Sequence, residues 1–125
     1  MRGRRTRPPE QVVRNIIEHA VTRAFGVTGP EVWRLTRGNP HAALARQVGM
    51  YLAHVAFELS LTEVGVLFVR DRTTVAHACS VVEDRRDDPG FDRVLDLMEG
   101  AVRLLDPRRA GARTTASGGA GPPLT

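Results

Sequence analysis

The stretch "SLTEVGVLFVRDRTTVAHA", residues 60–78, decides the fold. It opens on Ser60 with Glu63 three residues on, a capping box in which hydroxyl and carboxylate each satisfy a backbone amide at a helix start. Val64 and Phe68 follow four apart, enough for one apolar face on a helix of about two turns. A tight turn over 69–71 leads into a second helix, about 72–86, whose Val75 and Ala78 face the first. A short helix, a tight turn and a second helix make the helix-turn-helix plan, here spanning 61–86. Gly65 stands where the two helices must approach closely. Glycine inside a helix costs about 1 kcal/mol against alanine, so its placement asks for a packing reason.

The front of the second helix is crowded with hydrogen-bonding side chains. Arg70, Asp71, Arg72, Thr73 and Thr74 stand in a row, and His77 follows one turn later. If this helix end enters a DNA major groove, Arg can fork onto guanine, Asp can accept from cytosine, and Thr can meet a thymine methyl or a phosphate. The helix N-terminus itself favours phosphate. A plainer reading stands beside it. Asp71 and Thr74 can be a helix cap and its partner, with Arg70 and Arg72 simply solvated, in a helical bundle that binds nothing.

Outward from this centre the chain continues to read as helices. "EQVVRNIIEHAVTRAF" carries Val12, Val13, Ile16, Ile17, Ala20, Val21 and Ala24 at helical spacing, and Gly26 ends it. "TGPEVWRL" starts with a second capping box, Thr28 with Glu31, and predicts a short helix with Val32, Trp33 and Leu35 inward. A loop "TRGNPH" precedes a long helix, about 41–58, with Leu44, Val48, Leu52, Val55 and Ala56 on one side. "DDPG" breaks the helix that began at 72, and a last amphipathic helix follows with Phe91, Val94, Leu95, Met98, Val102 and Leu105 inward. The expected fold is all-α, a bundle of about six helices. It divides into a flexible basic arm at 1–9, a domain at 10–105 and a disordered tail at 106–125 rich in Gly, Pro, Ser and Thr.

Charge is uneven along the chain. The 125 residues carry a net charge of +4 with 18 basic side chains, every one of them Arg. Residues 2–7 hold four Arg and no acid, whereas residues 83–106 hold eight acids against four Arg. The basic balance therefore sits at the ends, and the last helix is acidic, a poor surface to lay on DNA. Arg suits phosphates and base edges; a GC-rich genome is an equal cause of its abundance. No apolar run approaches the roughly 20 residues that span a bilayer. No apolar segment follows the basic N-terminus, so a soluble cytoplasmic, nucleoid-associated protein is expected.

Other chemistry finds no footing. His77 and Cys79 lie two apart on a helix and point to different faces. His19, His41 and His54 lack ligand spacing. Asp87 and Asp88 sit beside Pro89 as a helix terminator, and Cys79 reads as a packing residue. No metal, cofactor or catalytic residue is expected.

The segment "ARQVGMYLAHVAFELSLTEVGVLFVRDRTTVAHAC" resembles the C-terminal DNA-binding domain, domain IV, of the bacterial replication initiator DnaA, a TrpR-like helix-turn-helix fold. The matching positions are Arg46, Gln47, Met50, Tyr51, Leu52, Ser60, Leu61, Glu63, Gly65, Phe68, Arg70, Asp71, Thr73, Thr74, Val75, His77 and Ala78, and the likeness covers roughly 10–105. The resemblance implies a monomer or weak dimer on double-stranded DNA, reading a short asymmetric site. It places Asp71, Arg72 and Thr73 at bases, and Arg46, Gln47, Thr74 and His77 at phosphates. Ser60 to Thr62 would lie at the backbone near the first helix, Arg70 belongs to the same DNA-binding set, and Arg37 sits in the loop that enters the minor groove.

The sequence departs from the family pattern in three places. Arg72 stands where the family has His. Two turn glycines are reduced to the single residue Val69. The loop "LTRGNPHAA" keeps only Arg37, leaving Arg2, Arg4, Arg5 and Arg7 of the arm as the other source of cations. A base edge left unread costs roughly 1–3 kcal/mol of discrimination, so a preferred site unlike the initiator's is expected. No "GxxxxGK[ST]" phosphate loop occurs, and no Lys exists to complete one.

The expectation is therefore a DNA-binding module that stands alone and regulates transcription. Such modules resemble regulators of GC-rich alphaproteobacteria, including the DNA-binding halves of activators of gene-transfer-agent clusters, which work with a partner that contacts RNA polymerase. The alternatives are a modulator competing for initiator sites and a protein-interaction module that has lost DNA binding.

Overall fold

The computed structural model describes residues 8–34 and 39–109, and those residues form an all-α bundle. Its helices are α1 (Glu10–Phe25), α2 (Gly29–Trp33), α3 (Pro40–Val55), α4 (Leu61–Phe68), α5 (Arg72–Arg85) and α6 (Pro89–Leu105). Among the described residues no helix is long and apolar enough to cross a membrane.

Local chemistry sets most of the helix ends. Thr28 and Ser60 both form complete capping boxes with Glu31 and Glu63. Asn39, Asp71 and Asp88 each accept a backbone amide at the starts of α3, α5 and α6. Pro30, Pro40 and Pro89 occupy first-turn positions, where a missing N–H costs nothing.

α3 is the axis of the bundle and packs against all five other helices. Its Ala42, Ala45, Val48, Gly49, Met50, Tyr51, Leu52 and Ala53 are buried, so it is apolar nearly all round, as a central helix must be. Around it gather Val13, Ile17 and Val21 of α1, Val32 of α2, Val64 and Phe68 of α4, Val75, Ala78 and Val82 of α5, and Leu95, Met98 and Val102 of α6. Gly49 admits Phe68: a Cβ there would lie 3.1 Å from the ring's Cζ and 3.3 Å from Ile17 Cγ2.

Several details differ from the sequence reading: the long helix expected at about 41–58 ends at Val55, and it is buried nearly all round instead of on one side. Val94 and Leu105, expected inside, are 42% and 54% exposed; Leu95, Met98 and Val102 are buried in the strip of α6 that meets the core, and Phe91 packs against its edge. Ala24, expected on the inner stripe of α1, is exposed in its last turn. Residues 106–109, assigned to the tail, belong to the packed structure. Asp106 is fully buried, takes the Arg108 guanidinium at 2.8 Å, and the same guanidinium donates to the Phe57 carbonyl at 2.9 Å. The arm at 1–7, Leu35, and the tail from 110 onward lie outside the described residues.

Arg86, just past α5, fastens the last helix. It pairs with Asp92 at 2.6 Å and with Asp96 and Glu99, and donates to the Tyr51 hydroxyl at 3.0 Å. Three of the acids in the acidic segment are thus turned onto one guanidinium, whose proton is held more tightly than usual: the hydrogen bonds to Asp92, Glu99 and Tyr51 overcome the effect of burial.

Candidate nucleic-acid interface

The geometry of the helix-turn-helix begins at the end of α4. Val69 takes the left-handed conformation, φ 57° and ψ 52°. The Val69 amide donates to the Val66 carbonyl at 3.4 Å, and the Arg70 amide donates to the Gly65 carbonyl at 2.9 Å. This bond pair is a Schellman motif, whose left-handed position is usually glycine. A β-branched residue there costs on the order of 1–2 kcal/mol. Gly65 also explains itself here, because a Cβ on it would collide with the Arg70 carbonyl oxygen.

One residue later Asp71 caps α5, accepting the Thr74 amide at 2.8 Å. That bond and a second one with Thr74 hold the Asp71 carboxyl below the usual carboxylate range, so an acceptor charge sits at the helix start. Arg72, Thr73, Thr74 and His77 then project outward, all exposed, while Val75 and Ala78 bury the opposite face. Among the described residues the side chains of Arg72, Thr73 and His77 find no intramolecular partner. The helix offers donors and acceptors of both signs along one accessible edge, set on a face locked to α3 and α4.

The remaining residues named from the sequence divide into groups. Ser60 is exposed but its hydroxyl accepts the Glu63 amide at 3.0 Å, so it serves first as a cap; Thr62 beside it is exposed. Gln47 is half-buried on α3. Arg37 lies outside the described residues. Arg46 and Arg70 occupy positions that differ from an open phosphate contact. Arg46 is only 7% exposed, donates from Nη2 to the Glu31 carbonyl at 3.0 Å, and leaves its buried Nε without an acceptor. Burial, with the neighbouring charges of Arg70 and Arg34, weakens its hold on its proton. Arg70 is half-buried and turned onto backbone carbonyls: Phe68 at 3.0 Å, Val69 at 3.4 Å and Arg34 at 2.8 Å.

Trp33 and Phe68 face inward as the sequence implies, but sequence reading missed Arg14 and Glu18, which support them at this corner. Trp33 stacks at 4.7 Å on Phe68, its Nε1 donates to Glu18 at 2.7 Å, and the Arg14 guanidinium lies 4.0 Å over its ring. The pairing joins α1 and α2 to the last turn of α4. Arg34 is exposed at the end of α2, within reach of the charges on Arg46 and Arg70. It had a signal in the sequence: it lies three residues before Arg37, just ahead of the loop that carries it.

Comparison with known proteins agrees with this geometry. The family described as the bacterial DnaA protein helix-turn-helix matches residues 14–82, which includes α4, the turn and the exposed edge of α5. The chain is 34% identical over 98 residues to the chromosomal replication initiator protein DnaA of Lachnoclostridium phytofermentans, covering 77% of this chain and 21% of that protein. With the DnaA of Symbiobacterium thermophilum it shares 29% identity over 97 residues, 76% of this chain and 21% of the relative. With that of Streptococcus mutans it shares 39% over 69 residues, 54% and 15%. The chain thus spans about a fifth of the length of the first two relatives. With a Schellman turn aiming a polar helix edge outward and the family match running across both helices, this chain belongs to the bacterial DnaA helix-turn-helix family and carries its DNA-binding domain.

Proposed function

We propose that this protein binds double-stranded DNA in a sequence-specific manner and regulates transcription. The observation that carries the reading is the exposed edge Arg72, Thr73, Thr74 and His77, unpartnered among the described residues at three of its four side chains while its surroundings are fastened. Arg72 and Thr73 contact bases, and the exposed Asp71 carboxylate accepts from a cytosine amine beside its bonds to Thr74. Thr74, His77, Gln47 and Thr62 contact the backbone and set the register. Arg72 is a long cation where the family has His, so the preferred site differs from that of the initiator.

The regulatory half of the reading rests on α6. Leu97 and Leu104 are 70% and 58% exposed, and Val94 and Leu105 join them on a face directed away from the core. A co-activator that contacts RNA polymerase docks there, and promoters of gene-transfer-agent clusters are one class of target that the resemblance implies. The test is immunoprecipitation of the protein from its host with sequencing of the bound DNA. Discrete promoter peaks sharing a motif unlike the initiator's site support the regulator. Peaks at the replication origin point to a modulator of initiation, and a flat profile removes both.

A further inference from the structure

The Arg70 guanidinium reaches two separate parts of the chain at once. Nη1 donates to the Phe68 carbonyl, on the last turn of α4, at 3.0 Å, and Nη2 donates to the carbonyl of Arg34, the C-cap of α2, at 2.8 Å. Thirty-six residues separate Arg70 from Arg34 in the chain. Both acceptors are main-chain oxygens at helix ends, positions that lack a partner within their own helix. The planar fork can hold two such oxygens in a fixed relative position; a lysine ammonium has no rigid fork with which to do so.

We propose that Arg70 is a positioning residue: it clamps the turn between α4 and α5 to the end of α2, and so fixes the angle at which the front of α5 meets DNA. The clamp fits the turn it serves. Val69 holds a left-handed backbone without the glycine that would make it easy, and the Schellman bonds retain only part of the turn's geometry on their own. Two bonds from Arg70, to Phe68 and Arg34, straddle that strained residue and oppose its relaxation. The same fork holds Arg34, whose side chain is exposed, in place relative to α5. This inference rests on the DNA-binding reading and deepens it. Arg70 acts through Arg72 and Thr73, and touches the duplex through neither bases nor phosphates.

The test compares Arg70→Ala and Arg70→Lys with the unaltered protein. The probes are a duplex enriched by the unaltered protein from a random-sequence library and a scrambled duplex of equal length, titrated across a salt series. The clamp predicts that both variants lose about tenfold or more in affinity for the enriched duplex, keep their affinity for the scrambled one, and keep the salt slope. A phosphate contact behaves otherwise. Arg70→Lys would then retain the affinity, and Arg70→Ala would weaken both duplexes alike and flatten the slope by about 0.9; either result overturns the proposal. Amide hydrogen exchange supplies a readout without DNA. Exchange in Arg70→Ala rises at 65–71 and at 31–34 if the clamp exists, and unchanged exchange overturns it. An unaltered protein that enriches no duplex overturns the DNA-binding reading, and the exchange result still decides the clamp.

Discussion

The Arg70 amide donates to the Gly65 carbonyl at 2.9 Å, and this bond joins the last turn of α4 to the first residues leading into α5. Because the Arg70 carbonyl also lies against the Gly65 Cα, residue 65 can carry no side chain. Gly65→Ala is therefore expected to destabilise the fold by about 2–3 kcal/mol, since the obstructing atom is backbone and cannot swing away. At the neighbouring left-handed position the opposite holds. Val69→Gly relieves the strain at φ 57° and is expected to stabilise by about 1 kcal/mol, part of the relief being offset by the freer unfolded chain. Urea denaturation of the two variants checks both signs.

Arg86→Ala removes the guanidinium that gathers Asp92, Asp96 and Glu99. Asp96 is well exposed and loses little. Glu99 is largely buried and keeps only the longer bridge from Arg103, at 3.3 Å, so its desolvation goes mostly uncompensated. A loss of about 2–3 kcal/mol is expected, with α6 detaching from α3 first. Amide exchange should rise in α6 before it rises in α3 or α5.

Acid should weaken the fold through carboxylates held below their usual range. Asp71 is lowered by its bonds with Thr74. At Asp106 burial acts to raise the pKa, and the Arg108 hydrogen bonds overcome it to leave a net lowering. A depressed carboxylate adds stability that is whole above its unfolded pKa, near 4, and is lost as pH falls through the folded value. Stability should accordingly fall below about pH 4. Asp71→Asn keeps a cap at the start of α5 and removes its titration, so the acid-side fall should shrink in thermal melts taken across that range.

Cys79 is expected to be slow toward alkylating agents. Burial, with Glu83 nearby, pushes its thiol up to about 11. The thiolate is the reactive form, so at about pH 8 the rate should fall on the order of a hundredfold below that of a free cysteine near 8.5. Iodoacetamide labelling in native buffer and in urea gives the comparison.

What could be read from the sequence was what is local in it. The capping boxes at Thr28 and Ser60 each use partners three residues apart, and the helical periods of α1 and α4 state their own faces, whereas α3, surrounded on all sides, is buried well beyond the one side its period marks. The fates of Arg46 and Arg70 were hidden, because both depend on carbonyl acceptors 15 and 36 residues away. An arginine in a motif reads the same whether it faces solvent or a buried main-chain oxygen. Val94 and Leu105 were misplaced for a related reason: the apolar arc of α6 is wider than the core it covers, and periodicity gives the width of an arc without saying how much of it is met. Asp106 looked like the first residue of a polar tail until Arg108 and the Phe57 carbonyl gave its charge a setting.

The most direct test of the DNA-reading role of α5 is selection of duplexes from a random-sequence library by the unaltered protein, beside Arg72→Ala and Thr73→Ala. One enriched motif is predicted for the unaltered protein. Each variant should relax the motif at its own position, at a cost of about 1–3 kcal/mol in discrimination, with the fold intact by thermal melting. Recovery of no motif, or of the same motif from all three proteins, would contradict the assignment of the exposed α5 edge as the surface that reads DNA.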